Sequence, residues 1–284
     1  MKKKIVFLGS KNIGYKCLKA LHETLPEKLV KVLTIDDSSD GRNKLKDIKS
    51  YCKENDIPIE ICENRQVSEQ IIKDIEPDLC LVVGWYWLIS AEIVSTYKIL
   101  GIHNSLLPKY RGGAPLVWSI INNEKYVGFS LFQFTEGMDD GPIYAQRTIY
   151  ISPDIYIGEI LTFIEEQSML KIKENIKGIL YNKISGYEQD HSKASYCTQR
   201  TPNDGLIDWN KSALEVYNFI RAQSHPYPGA YFYHNGEKVM IWRAKMLSDI
   251  KYYGIPGRVV NNNIIICGNN SFIEIEESEI GFKE

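Results

Sequence analysis

Along its first part the chain alternates short apolar runs with amphipathic stretches. Lys4 to Leu8, Val30 to Ile35, Ile57 to Ile61 and Leu79 to Gly84 have strand length and continuous apolar character. Between them, Tyr15 to Glu23, Lys44 to Asn55 and Val67 to Ile75 carry helical spacing. This alternation predicts an α/β fold: a mostly parallel sheet with helices on both faces. After a further strand at Ile143 to Ile151, Gly158 to Ile179 reads as a helix whose stripe of Ile160, Phe163, Ile164, Leu170, Ile172 and Ile176 is expected to face the core.

Ser185 to Asn203 is polar and aperiodic, with Gly186 and Pro202, and reads as a linker. It divides the chain into a domain at 1–184, the linker 185–203 and a second domain at 204–284. One helix, Ser212 to Gln223, opens the second domain. Short strands follow at Ala230 to His234, Lys238 to Lys245, Arg258 to Val260, Asn263 to Cys267 and Ser271 to Glu276. Asn235-Gly236 and Asn269-Asn270 are hairpin signals, so a small, mostly antiparallel, barrel-like domain is expected.

Composition narrows the function classes. A chain of 284 residues with 25% charged residues and a net charge of −2 has no general pull toward nucleic acid or acidic membranes. The longest apolar runs are too short to span a bilayer, and Met1-Lys2-Lys3-Lys4 leads directly into a strand-like run, which argues against a signal peptide. Six scattered cysteines without CxxC or metal spacing are expected to be free thiols of a cytoplasmic protein, with no metal site. The Gly9 to Gly14 turn lacks the Lys-Ser/Thr of a phosphate loop and reads as a strand-to-helix turn bordering the cleft.

The chemistry concentrates in Gly101-Ile102-His103-Asn104-Ser105-Leu106-Leu107-Pro108-Lys109-Tyr110-Arg111-Gly112-Gly113-Ala114-Pro115. Asp139, in Gly137-Met138-Asp139-Asp140-Gly141-Pro142, follows His103 by 36 residues. These strings resemble the active-site motifs of the formyltransferases that use 10-formyltetrahydrofolate. Residues 201–209 and 220–230 resemble the start of that family's C-terminal domain. The resemblance implies a Rossmann-like catalytic domain and a small OB-like β-rich domain. It implies 10-formyltetrahydrofolate as co-substrate, with no metal.

Formyl transfer to an amine needs a base for the amine proton and a donor for the developing oxyanion. An imidazole titrating near neutrality suits both tasks, and a nearby carboxylate can orient it. By resemblance His103 takes this role and Asp139 orients it, while Asp140 holds the variable, surface position. The folate would meet Tyr86, Trp87, Leu88, Gly137 and Met138. For Trp85-Tyr86-Trp87, aromatic packing at the sheet edge is an equal reading. Ser105, Lys109, Arg111, Arg221 and Tyr227 are the substrate-contact candidates. Arg111 as a brace of its own loop and Tyr227 as part of a rigid turn fit as well.

One departure stands out. The family carries Asn two residues before the histidine, where this chain has Gly101. Asn104 either supplies the missing amide or is a turn residue.

Residues 201–284 hold 8 Lys+Arg against 10 Asp+Glu, net −2, where a tRNA enzyme is expected to be basic. The Asp36 to Arg42 loop also starts acidic. The expected acceptor is therefore a small one: by resemblance a UDP- or dTDP-linked 3-amino or 4-amino deoxysugar made for surface polysaccharide. Methionyl-tRNA formyltransferase is the alternative, and an inactive folate- or sugar-nucleotide-binding relative the alternative of another class. A homodimer stays open.

Overall fold

A computed structural model of the protein describes residues 3–247, 253–261 and 263–279; the expected end of the second domain, 280–284, lies outside the described residues. The chain begins β1 (Ile5–Gly9), α1 (Lys11–Thr24), β2 (Leu29–Ile35), α2 (Leu45–Glu54), β3 (Ile59–Cys62), α3 (Arg65–Ile75), β4 (Leu79–Val83), α4 (Ala91–Thr96) and β5 (Ile99–His103). It continues through β6 (Arg111–Gly112), α5 (Pro115–Ile121), β7 (Tyr126–Gln133), β8 (Ile143–Tyr150) and α6 (Ile157–Leu180). Then come β9 (Tyr196–Cys197), α7 (Ala213–Arg221) and the strands β10 (Ala230–His234), β11 (Glu237–Met246), β12 (Val259–Val260), β13 (Ile264–Cys267) and β14 (Ser271–Ser278).

The main sheet has seven strands in the order β3-β2-β1-β4-β5-β7-β8. The first five are parallel, and β7 joins β5 antiparallel with His103 opposite Ser130. The expected mostly parallel α/β sheet is therefore present. Its strands read as continuous apolar runs because both faces are covered. Along β1, Ile5 and Phe7 pack with Leu18 and Leu21 on one face, whereas Val6 and Leu8 pack with Ile72 and Ile93 on the other. Strand order reverses between β1 and β4, and β1, β4 and β5 all end on the same edge. In such sheets that edge is where ligands bind.

Between its buried ends (Ile157, Ile179 and Leu180), α6 buries Ile160, Ile164, Ser168, Ile172 and Ile176, a row in steps of four. Phe163 and Leu170 were expected in this stripe but are 39% and 44% exposed. Both sit off the row, and Ser168, polar yet fully buried, continues it.

Two compact units divide the chain, though not by a single cut. One comprises 1–112, 128–148 and 162–196; the other comprises 113–127, 149–161 and 197–284. Within the second unit, five strands form an antiparallel sheet in the order β10-β11-β14-β13-β12, the expected β-rich architecture. Asn235 and Gly236 both have positive φ, as do Asn269 and Asn270, which suits the tight turns that close β10–β11 and β13–β14. Helix α7 opens with a capping box, Ser212 and Glu215 each accepting the other's backbone N–H. Segment 149–161 belongs here through Tyr156, whose hydroxyl bonds both the N–H and the carbonyl of Ala244. Most of the stretch read as a linker is part of the first unit: Tyr187 and Ile143 exchange backbone hydrogen bonds at 2.9 Å.

Candidate active site

Strand β5 delivers His103 to the edge of the sheet, where it is 9% exposed. Its Nε2 lies 2.8 Å from the carbonyl oxygen of Tyr110. A carbonyl only accepts, so Nε2 carries the proton and Nδ1 is the free ring nitrogen. Nδ1 faces Asp139 Oδ2 at 3.6 Å, beyond hydrogen-bond range. The tautomer is thus fixed by the Tyr110 carbonyl rather than by the carboxylate, which differs from the expected orienting role of Asp139. The carboxylate stands as a counter-charge on the opposite side of the ring.

Asp139 itself has φ 48°, in the left-handed region that costs a non-glycine residue energy. Its Oδ2 accepts the Gly112 N–H at 2.8 Å, and its main-chain carbonyl accepts from Gln189 Nε2 at 2.8 Å. Asp140 is half-buried rather than on the surface, and its carboxylate accepts from the Thr135 hydroxyl. A β-carbon at Gly137 would collide with that same carboxylate, so Gly137 serves the turn.

The space a side chain at position 101 would take is filled by an aromatic ring. A β-carbon on Gly101 would strike Phe134 and sit 3.2 Å from the Val82 carbonyl. Asn104, next to His103, is half-buried, and its Oδ1 is buried without a hydrogen-bond partner in the protein.

Three of the expected substrate contacts are buried structural groups. Ser105 bonds the Lys109 carbonyl at 2.7 Å and its own carbonyl accepts from Ser130, so its hydroxyl holds the turn after β5. Arg111 is 2% exposed, and its guanidinium meets Gln189, Tyr196 and His191. It braces the loop, the reading that stood beside substrate contact. Arg221, in the second unit, is equally buried, bonding Asn218 Oδ1 at 2.8 Å and the Ile155 carbonyl at 3.0 Å. Burying a guanidinium is tolerated only when its N–H groups find such acceptors. Lys109 is exposed, and Tyr227 closes a turn by donating its N–H to the Ser224 carbonyl at 3.0 Å.

After β4, side chains alternate. Trp85 and Trp87 pack edge to face at 5.3 Å, whereas Tyr86 and Leu88 point outward, Leu88 being 85% exposed. The Tyr86 hydroxyl donates to Asp40 at 2.7 Å, and Lys11 Nζ lies 4.0 Å from the centre of its ring. Burial, helped by the nearby Arg42 charge, lowers Lys11 from the ordinary 10.5 to about 8. The Arg42 guanidinium holds Asp40 well below the usual carboxylate range. Met138 is exposed.

Sequence reading missed Tyr110 and Gln189, which touch the pair or its backbone, and Ser195, which holds the backbone of Tyr110. A backbone carbonyl leaves no trace in residue type, and the other two lie in an aperiodic polar stretch. The six cysteines are thiols rather than halves of disulfides. Among the described residues no cluster of three metal-ligating side chains occurs, and no helix is long and apolar enough to cross a membrane.

An imidazole of fixed tautomer set against a carboxylate, on the ligand edge of a doubly wound sheet, is equipped to accept and return a proton, which acyl transfer to an amine requires. The chain belongs to the formyl transferase family: residues 3–169 match its formyl transferase domain and 200–284 its C-terminal domain. Formyl transfer is its chemistry. It is 33% identical over 275 residues to the bifunctional polymyxin resistance protein ArnA of Wigglesworthia glossinidia brevipalpis, covering 94% of this chain but only 42% of that protein. To the methionyl-tRNA formyltransferase of Clostridioides difficile it is 31% identical, covering 99% of this chain and 93% of that one. Among solved structures, the N-formyltransferase from Helicobacter canadensis, in complex with folinic acid and dTDP-3-aminofucose, shares the fold. Its TM-score is 0.74 at 20% identity, with 96% of this chain and 98% of that chain covered.

Proposed function

We propose that the protein moves the formyl group of 10-formyltetrahydrofolate to the amine of a nucleotide-linked amino deoxysugar. His103 Nδ1 accepts the proton of the attacking amine. The resulting imidazolium is held between the Tyr110 carbonyl and the Asp139 carboxylate, which stabilises its charge where water is scarce. Asn104 offers the side-chain amide that Gly101 cannot, and its unpartnered oxygen fits an N–H of the incoming amine. The exposed faces of Tyr86 and Leu88, with Gly137 and Met138, border the place for the folate ring, and Lys109 is left to meet the acceptor's phosphates. The pair at His103 and Asp139 supports the chemistry, and one observation carries the acceptor: the acidic balance of residues 201–284, 8 Lys+Arg against 10 Asp+Glu. RNA affinity rests on phosphate neutralisation, and this segment offers little of it.

A second reading, transfer to initiator methionyl-tRNA, is favoured by the relatives named methionyl-tRNA formyltransferase that match this chain over nearly its whole length. The test sets 10-formyltetrahydrofolate with dTDP- and UDP-linked amino deoxysugars against the same donor with charged initiator tRNA. Formylation of a sugar nucleotide is expected; formylation of the tRNA alone would overturn the sugar assignment.

A further inference from the structure

The segment 187–196 has almost no regular structure, a 3₁₀ turn at His191–Lys193 and the first residue of β9 apart, yet its hydrogen bonds converge on the reacting pair. Gln189 uses its whole amide. Its Nε2 donates to the carbonyls of Asp139 and Gly141, both at 2.8 Å, and its Oε1 accepts from Arg111 Nε and a terminal nitrogen at 3.1 and 2.6 Å. With two donors and two acceptor sites engaged, the amide has one orientation, and neither Glu nor Met reproduces it. The contacts close a ring. Arg111 leads directly into Gly112, whose N–H donates to the Asp139 carboxylate at 2.8 Å. Asp139 gains from such support because its φ of 48° lies in the left-handed region, which costs a non-glycine residue energy.

Ser195 does the same for the imidazole. Its hydroxyl accepts the Tyr110 N–H at 2.9 Å, and its carbonyl accepts the Arg111 N–H at 2.8 Å. Both amides flanking the Tyr110 carbonyl are therefore pinned, and that carbonyl fixes His103 Nε2.

We infer that 187–196 is the positioning strap of this active site: Gln189 sets Asp139, and Ser195 sets His103 through Tyr110. This rests on reading His103 and Asp139 as the reacting pair. Neither strap residue reaches the reacting atoms, so its removal is expected to lower turnover while leaving substrate affinity in place.

The experiment compares Gln189→Glu, which keeps the acceptors for Arg111 but loses both donors, with Ser195→Ala and Ser195→Thr. Turnover is measured with 10-formyltetrahydrofolate and dTDP-3-aminofucose, melting temperature reports folding, and NMR of ¹⁵N-histidine-labelled protein reports the His103 ring. Gln189→Glu is expected to lower kcat about 10²-fold with KM unchanged, the scale of a misplacement near one ångström. Ser195→Ala is expected to move the His103 ring signals and lower kcat, and Ser195→Thr to restore both. Folded Gln189→Glu and Ser195→Ala with wild-type kcat and unmoved ring signals, beside an inactive His103→Ala, would overturn the strap alone. An active His103→Ala would overturn the reacting pair and the strap with it. Should Gln189→Glu fail to fold, Ser195→Ala, altered at an exposed hydroxyl, decides; should the sugar nucleotide give no turnover, the ring signals decide.

Discussion

Two stretches of the first unit meet at the imidazole and the carboxylate, and they are built on opposite principles. Residues 103–112 have local devices of their own: Pro108 removes freedom, Tyr110 and Gly112 adopt positive φ, and Ser105 bonds back to Lys109. Residues 187–196 are fixed remotely, by partners some fifty to ninety positions away in the chain, such as Asp139 and Tyr110. The first stretch carries a reacting group, and the second carries donors and acceptors for backbone and for the Arg111 guanidinium. Chemistry and geometry are thus held by different parts of the chain.

The sharpest way to break this contrast is to remove the chemistry. His103→Ala and Asp139→Asn are each expected to lower turnover by about 10²- to 10⁴-fold, with the melting temperature near wild type. A folded variant turning over at the wild-type rate would take that residue out of the reaction.

A smaller effect tests the local principle. Gly101→Asn restores the family's residue but drives a side chain into Phe134. It is expected to cost about 1–3 kcal/mol in urea unfolding. Adding Phe134→Ala is expected to recover part of that loss, and strict additivity of the two changes would show that the ring is not what excludes the asparagine.

Further down, Ser212→Ala removes a helix cap in the second unit. A loss of about 1 kcal/mol in stability is expected, with turnover unaltered. Altered turnover would tie activity to a helix outside both stretches.

A pH dependence bears on stability alone. Lys11 loses its proton near pH 8 when folded, against 10.5 in the unfolded chain. Between those values the unfolded state binds more protons, so this group makes stability rise with pH across that window. Comparing urea unfolding of wild type and Lys11→Met from pH 7.5 to 10.5 should show the rise flattened in the variant; parallel curves would contradict the shift.

How much of this was legible follows the same division. Strands β1 to β4 announced themselves because both sheet faces are apolar, and the hairpins of the second unit did so through Asn235-Gly236 and Asn269-Asn270. His103 and Asp139 were found through a string of unusual residues at fixed spacing. Phe163 and Leu170 were misjudged because hydrophobicity was read where position on the helix decides. Arg221 read as a cation offered to a ligand, and Arg111 as either that or a brace of its loop. Their burial depends on Gln189, Asn218 and a carbonyl at Ile155, none of which any local pattern could supply. Gln189 left no signal, since a hydrogen bond between irregular segments has no period.

The backbone at Asp139 also governs how that site can be explored. At φ 48° glycine fits freely, and aspartate and asparagine bear less strain than most other side chains. A saturation library there would be sorted first by torsion and only then by reactivity. Alanine or glutamate at 139 would confound a lost or displaced charge with a distorted turn, whereas asparagine isolates the charge. Tolerance at this position therefore measures the loop's shape before it measures the need for an acid.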